Sequence, residues 1–120
     1  MKMDDFFTNA GIFVSGKMVS VPRLASYAKA NLDVKELSIG WLTKNLGEDY
    51  GALCAPPAIG TTEYVRCVNA DLSYPILVIK EPSETWVGDG NHRLIKAAHI
   101  EKLDSIKAYI ITPEIISESR

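Results

Sequence analysis

This sequence is poor in three features that mark large classes of proteins. No run of about 18 apolar residues occurs, which argues against a membrane-spanning helix and a membrane partner. The two cysteines, Cys54 and Cys67, are too few for a zinc site or a disulfide framework, and we expect both to be reduced and mostly buried. The net charge is −2 and the pI about 5.6, so nucleic acid is not a favoured partner.

The start of the chain also lacks the marks of export. Residues 1–7 include Asp4 and Asp5 and have no continuous apolar core of the kind that a signal peptide requires. We therefore expect a cytoplasmic protein. With 120 residues, 47% of them hydrophobic and 23% charged, the chain has the size and composition of one soluble globular domain, which we expect to span residues 1–120.

The densest group of functional side chains is Val-Gly-Asp-Gly-Asn-His-Arg-Leu at residues 87–94, which we call the corner. Strand-like apolar residues precede it and a helical run follows. Gly88 and Gly90 let the backbone turn sharply and approach a ligand closely, and Asp89 or Asn91 can cap the new helix. Since the start of a helix attracts anions, the corner is a candidate site for phosphate or carboxylate.

Three side chains of the corner each have a functional and a structural interpretation. Arg93 can grip phosphate with a bidentate fork, or it can form a salt bridge with a nearby acid such as Asp89. His92 can donate to phosphate or act as a general acid or base, or it can bond to a backbone carbonyl. Asp89 can hold Mg²⁺ or accept a proton from an acceptor hydroxyl, or it can serve as a turn or cap residue.

Further charged residues are weaker candidates: Lys96, Asp71, Arg66, Glu36, Glu63 and His99. Lys96 could add positive charge near the site or lie on a solvated helix face. Asp71 and Arg66 could face the corner from the preceding helix, and the two glutamates are remote catalytic candidates. His99 is discounted as a metal ligand, because its distance from His92 in the sequence does not suit a helical ligand pair.

The second half of the chain predicts the sheet. The apolar run at residues 76–79 is typical of a central strand buried on both faces, and residues 85–87 return as the second strand of a hairpin. Residues 106–111 form the last strand. If the strands at 85–87 and 106–111 are parallel, the helix between them makes a βαβ crossover. We expect an α+β fold with a small mixed β-sheet flanked by helices.

The first half is less regular. Residues 18–21 predict a strand and residues 24–31 a helix, with Pro22 either ending the strand or lying in the first turn of the helix. Asp33 resembles the N-cap of a further helix, while residues 39–42 fit helix or strand. A long surface loop is expected at 46–62. A helix capped by Thr62 follows at residues 63–71, with Tyr64, Val65, Cys67 and Val68 partly inward.

Residues 63–111 resemble the ParB/sulfiredoxin superfamily. The residues that carry the resemblance are Ala-Asp-Leu-Ser-Tyr-Pro-Ile-Leu-Val at 70–78, Gly-Asp-Gly-Asn-His-Arg-Leu at 88–94, Lys-Ala-Ala at 96–98 and Ile-Lys-Ala-Tyr-Ile-Ile at 106–111. The family pattern is a strand that begins near a proline, a hairpin, a glycine-rich corner ending in His-Arg or Arg-Arg, an alanine-bearing helix and a final strand. The resemblance implies a phosphate-binding corner at the start of the helix.

Departures from the family narrow its functions. Sulfiredoxin-like proteins have their catalytic cysteine directly before the His-Arg pair, where this chain has Asn91. ParB proteins proper have Gly-Glu-Arg-Arg and a following helix-turn-helix domain, whereas this sequence has Gly-Asn-His-Arg and stops shortly after its last strand. Sulfiredoxin chemistry and chromosome partitioning are therefore disfavoured. The corner is most similar to kinase-like and stand-alone members, including those of phages and plasmids.

Two functions follow from these considerations. The first is a nucleotide- or phosphate-binding enzyme, a phosphotransferase or nuclease, in which Gly88, Gly90, Asn91, His92 and Arg93 bind ATP or another nucleotide. Arg93 and His92 would stabilise charge on the transferred or cleaved phosphate, and Asp89 would serve Mg²⁺ or act as base. The second is a non-catalytic regulatory, inhibitor or immunity protein that uses the same corner to bind a phosphate or a carboxylate of a protein partner.

Overall fold

The computed structural model describes residues 11–14, 16–47, 50, 53 and 57–119. The expectations for residues 1–7, for Cys54 and for part of residues 46–62 lie outside them. The described strands are β1 (Gly11–Val14), β2 (Lys17–Ser20), β3 (Lys35–Ser38), β4 (Ile76–Lys80), β5 (Thr85–Asp89) and β6 (Ser105–Ile111). The described helices are α1 (Val21–Asn31), α2 (Ile39–Leu46), α3 (Thr62–Asn69), α4 (Asn91–Ile95, continued by the π-helical turn Lys96–Ile100) and α5 (Pro113–Glu118).

Four strands form one mixed sheet in the order β3-β6-β4-β5, and β1 and β2 form a separate antiparallel pair. β4 and β5 make an antiparallel hairpin, β6 lies parallel to β4, and β3 is antiparallel to β6. The predicted α+β fold with a small mixed sheet flanked by helices is thus confirmed. Among the described helices, none combines the length and apolar character that a bilayer crossing requires.

The condition for a crossover between the strands at 85–87 and 106–111 is not met, because β5 and β6 run in opposite directions. β5 is antiparallel to β4, whereas β6 is parallel to β4. The hairpin reverses the chain before the helix begins, and the chain then returns on the other side of β4. The parallel crossover therefore joins β4 to β6 and contains β5 and the corner.

β4 is the centre of the core and is buried on both faces, as its apolar run predicts. Ile76 and Val78 pack on the face covered by α2, α3 and α4. Leu77 and Ile79 pack on the other face, under α1, α5 and the β1–β2 pair. All four side chains are at most 2% exposed, and burying each one stabilises the fold by roughly 1.5–3 kcal/mol.

Helix α1 begins earlier than the sequence pattern predicts. Residues 17–20 form β2, and the helix starts at Val21, so the expected strand at 18–21 is one residue too far along. Pro22 lies in the first helical turn, where its missing N–H costs no hydrogen bond. The Ser20 hydroxyl accepts from the N–H of Arg23 at 3.5 Å and so acts as the N-cap.

The predicted helix start at Asp33 is wrong, since residues 35–38 form strand β3. This short strand pairs with β6, whose edge would otherwise be open on that side. The helix starts after it, at Ile39, where the Ser38 hydroxyl accepts from the N–H of Trp41 at 2.9 Å. Residues 39–42, which fitted helix or strand, are therefore the first turn of α2.

Helix α3 is shorter than expected and buries a narrower face. It spans Thr62–Asn69, and its N-cap is Thr61 rather than Thr62. Cys67 is fully buried and free, as predicted for a reduced thiol, and burial raises its pKa. Val65 and Val68 are exposed, contrary to their expected inward orientation, because the helix packs on the core through the opposite side.

Candidate functional site

The corner turns at Gly90, the N-cap of α4, whose φ of +106° lies in the left-handed region. A β-carbon there would lie 2.5 Å from Ile76 Cγ2, so both the backbone angle and the space require glycine. The expected cap by Asp89 or Asn91 is wrong, because no side chain caps this helix. Both side chains have other partners.

Gly88 is needed for packing inside the protein and does not open the backbone toward a ligand. A β-carbon at this position would lie 2.9 Å from Ile79 Cγ1 and 3.2 Å from Ile12 Cδ1. The residue therefore lets the β1–β2 pair lie directly on β5. This geometry supports a requirement for glycine in the packing of the backbone at position 88. It gives no support to the close approach of a ligand that the sequence predicted there.

Arg93 and Asp89 form the ion pair that the sequence offered as the structural interpretation of Arg93. Arg93 Nη2 lies 3.1 Å from Asp89 Oδ2, and the arginine side chain is only 6% exposed. The pair spans the junction between β5 and α4 and holds the guanidinium in place. This contact fixes the orientation of the planar guanidinium, which carries five N–H donors.

Both members of this pair line a groove of about 1240 Å³. Its floor is the sheet face of Leu77 and Tyr109, and its walls come from α1, α3 and the loop between α3 and β4. The charged lining residues are Lys29, Arg66, Arg93, Lys107, Asp71 and Asp89. Four basic and two acidic residues thus line the groove, in a chain whose net charge is −2. This excess of basic over acidic lining residues favours an anionic ligand.

His92 points elsewhere, although it is the sequence neighbour of Arg93. Its Nε2 lies 2.9 Å from Glu63 Oε1, so it links α4 to α3. Glu63 Oε2 also lies 3.9 Å from Nη1 of Arg66, a residue that does line the groove. The sequence nominated His92 and Glu63 separately, and the structure brings them together outside the groove lining.

Asn91 is held by an aromatic residue that the sequence did not single out. The Tyr50 hydroxyl donates to Asn91 Oδ1 at 3.1 Å and accepts from the N–H of Val87 at 3.3 Å. Burial raises the pKa of Tyr50, while these two hydrogen bonds act in the opposite direction. A tyrosine in a segment rich in glycine and proline was the only sequence signal for this contact.

Lys96 joins two elements instead of adding charge to the groove or lying on a solvated face. Its ammonium group donates to the carbonyl oxygen of Ala70 at 2.7 Å and lies 3.7 Å from Glu101 Oε2. Ala70 follows the last residue of α3, where helix carbonyls lack partners within the helix. Lys96 therefore fastens the end of α3 to α4.

The remaining nominated residues separate into two groups. Asp71 and Arg66 line the groove, and Asp71 Oδ1 accepts from the N–H of Ser73 at 2.9 Å. Glu36 lies on β3, at the opposite sheet edge from β5, and accepts from Ser105 Oγ at 2.9 Å. His99 joins no metal-ligand cluster, and no group of three acid, histidine or cysteine ligands exists in the described part of the chain.

Most residues that line the groove were not nominated from the sequence, among them Lys29, Ser73, Tyr74, Lys107 and Tyr109. A weak signal existed for two of them, since Lys107 and Tyr109 alternate on one face of a strand. No protein-family model, curated protein sequence or solved structure matches this chain significantly. Functional assignment therefore depends on the geometry of the groove.

Proposed function

We propose that this protein binds a nucleotide in the groove, with Arg93 as the main phosphate ligand. The observation that carries the proposal is the buried Arg93 guanidinium, oriented by Asp89 and lining a groove with excess positive charge. Arginine suits this task because its planar fork matches two phosphate oxygens at once. Its low exposure strengthens the attraction, since water screens it less than a surface charge.

Charge balance supports an anion at this position. Asp89 offsets the charge of Arg93, which avoids the cost of a buried unpaired cation. An incoming phosphate would be repelled by Asp89, and Arg66 supplies further positive charge in the same groove to offset that repulsion. The site can therefore accept a phosphate without breaking its ion pair.

The shape of the groove supports a nucleotide rather than a bare phosphate. Its floor and walls contain apolar or aromatic side chains, including Leu77, Tyr109, Val34 and Val65. Small-molecule sites are typically apolar with a few well-placed polar groups, and aromatic faces suit stacking with a base. A base and a ribose fit such a surface, and inorganic phosphate alone would leave most of it unused.

We further propose that the chain is a ParB/sulfiredoxin-like domain. β4 begins directly after Pro75, pairs with β5 in a hairpin, and leads through the corner and α4 to β6. This is the element order that the resemblance of residues 63–111 predicts. This order supports the assignment, whereas nucleotide binding is inferred from the groove independently of it.

Mg²⁺ fits the groove when the nucleotide supplies part of its coordination. Asp89 and Asp71 both line the groove, and proteins commonly hold Mg²⁺ with one or two carboxylates together with substrate phosphates. Such an ion would neutralise phosphate charge when bound. Asp89 Oδ2 contacts Arg93, so the other oxygen, Oδ1, is the one that could face the metal.

A second candidate function is phosphoryl transfer or phosphodiester hydrolysis. The observation in its favour is the position of Asp89 beside Arg93, where a carboxylate could accept a proton from an attacking hydroxyl or water. His92, the other acid–base candidate, bonds to Glu63 outside the groove lining. Its position favours binding without turnover, as in a small regulatory or immunity protein.

Thermal shift measurements with AMP, ADP and ATP, each with and without Mg²⁺, test the proposal. We expect a rise in melting temperature for the wild type and for Lys44→Ala, an exposed control lysine on α2. The rise should be lost in Arg93→Ala. An absence of any shift with the wild type, or an equal shift in the Arg93 variant, would overturn the proposal. Phosphate release in the same samples decides between turnover and binding alone.

A further inference from the structure

We infer that the groove contains a second anion subsite, formed by Lys29 and Lys107, and that its ligand is a linear dinucleotide. This inference rests on the proposed function, because it assumes that Arg93 holds one phosphate. The ligand would place that phosphate at Arg93 and Arg66 and its second phosphate at the two lysines. The nucleoside that joins the two phosphates would lie on the apolar floor between the subsites.

The two lysines differ from Arg66, Arg93 and Lys96 in lacking a carboxylate partner among the described residues. Arg66, Arg93 and Lys96 each lie within 4.0 Å of a carboxylate oxygen. In the described part of the chain, Lys29 and Lys107 form neither an ion pair nor a side-chain hydrogen bond, although both line the groove. Lys107 even lies opposite Glu36 in the strand register without pairing to it, since that carboxylate accepts from Ser105. Their charge is available to a ligand.

The fold separates this subsite from the first. Arg66 and Arg93 belong to α3 and α4, whereas Lys29 and Lys107 belong to α1 and β6. Leu77 of β4 pairs with Asp89 of β5 on one side and with Tyr109 of β6 on the other, so two strand spacings separate Asp89 from β6. Lys107 lies two residues before Tyr109. Strand geometry then gives roughly 12 Å between the backbones of Asp89 and Lys107.

That separation exceeds what one phosphate group can bridge, and it suits two phosphates spaced by a nucleoside and reached by long side chains. The volume of the groove is consistent with a ligand that carries two separated phosphates. At about 1240 Å³ it is larger than the roughly 300–1,000 Å³ that sites for one small ligand occupy. Lys29 and Lys107 therefore complete a site for a longer ligand than AMP or ADP.

Titration calorimetry with AMP, ADP and the 5′-phosphorylated dinucleotide pApA tests the inference. ADP carries two adjacent phosphates, whereas pApA carries two phosphates separated by one adenosine. We expect pApA to bind the wild type more tightly than ADP. In Lys29→Ala/Lys107→Ala, pApA affinity should fall about five- to tenfold, the scale of two exposed charge contacts, while AMP affinity changes little.

The matched control is Lys44→Ala/Lys80→Ala, which removes two exposed lysines that do not line the groove. This variant should keep the pApA affinity of the wild type. If pApA binds no better than ADP, or if the groove double variant weakens AMP as much as pApA, the second subsite is disproved. In that case AMP binding that Arg93→Ala removes would leave the proposed function standing. If no nucleotide binds the wild type, both proposals fail together.

Discussion

Arg93 Nη2 and Asp89 Oδ2 lie 3.1 Å apart, and this contact bridges the end of β5 and the first turn of α4. The two residues flank the left-handed Gly90 and line the same groove. The pair therefore has two consequences. It fixes the angle at which the helix leaves the sheet, and it holds a cation where a phosphate could meet it.

We expect Arg93→Ala to lower the free energy of unfolding by about 1–3 kcal/mol, because it leaves a partly buried carboxylate without its partner. Asp89→Asn should cost less, since a neutral amide can still accept a hydrogen bond. Urea unfolding of Arg93→Ala, Asp89→Ala and Asp89→Ala/Arg93→Ala measures the coupling, and Asp89→Asn is unfolded alongside them. If the double variant costs the full sum of the two single alanine variants, the pair does not contribute to stability.

Gly90→Ala should destabilise the protein by about 2–4 kcal/mol, because alanine resists the positive φ and its β-carbon meets Ile76. Gly40→Ala is the matched control. Gly40 lies in α2 with open space around its α-carbon, so alanine should stabilise by about 0.5 kcal/mol. Thermal unfolding compares the two. Equal melting temperatures for the two variants would contradict the strained geometry at the corner.

Tyr50→Phe should cost about 0.5–1.5 kcal/mol at neutral pH, since it removes the hydroxyl that bonds Asn91 and the Val87 N–H. The pKa of Tyr50 is raised in the fold, mainly by burial. The folded state therefore holds the phenolic proton more tightly than the unfolded chain does. The resulting stabilisation of the folded state is fully present below the unfolded pKa near 10.

As the pH rises through the folded pKa of Tyr50, the contribution is lost. The stability advantage of the wild type over Tyr50→Phe should therefore shrink above about pH 10. Denaturant unfolding of both proteins at several pH values between 8 and about 11 gives the comparison. An advantage that stays constant across this range would show that the hydroxyl titrates as in the unfolded chain.

Lys96→Met should lower the free energy of unfolding by about 1–2 kcal/mol, because the Ala70 carbonyl loses a charged donor at 2.7 Å while the apolar stem is kept. Hydrogen exchange should show faster opening at the end of α3 than at β4. Lys102→Met, at an exposed position after α4, is the control and should leave exchange in α3 unchanged. Uniform acceleration across the chain would indicate a global rather than a local role.

Much of the second half of the fold could be read from local patterns. Four consecutive apolar residues at 76–79 require a strand covered on both sides, and turn residues before Thr85 require the hairpin. The need for glycine at position 90 follows from the turn between strand and helix. The pairing of Arg93 with Asp89, four residues away, could also be predicted from the local sequence.

The first half was harder because tertiary pairing overrides its local signals. Asp33 and Glu36 have the spacing of a helix cap, but residues 35–38 form a strand that pairs with the edge of β6. Neither the spacing nor the composition of this segment indicates that β6 has an unpaired edge with which the segment can form hydrogen bonds. Ser38 can be recognised as the N-cap of α2 only when it is known that β3 ends at this residue.

The structure thus divides the six candidate functional residues of the corner, Gly88 to Arg93, between different roles. The sequence alone determined the buried strand β4, the glycine turn and the cation beside an acid, since these depend on neighbours a few positions apart. Only the tertiary structure decided that Arg93 lines the groove while His92 bonds to Glu63, and that Lys29 and Lys107 meet on one surface. The physical reason is that the direction of each side chain depends on how helices and strands distant in sequence pack together.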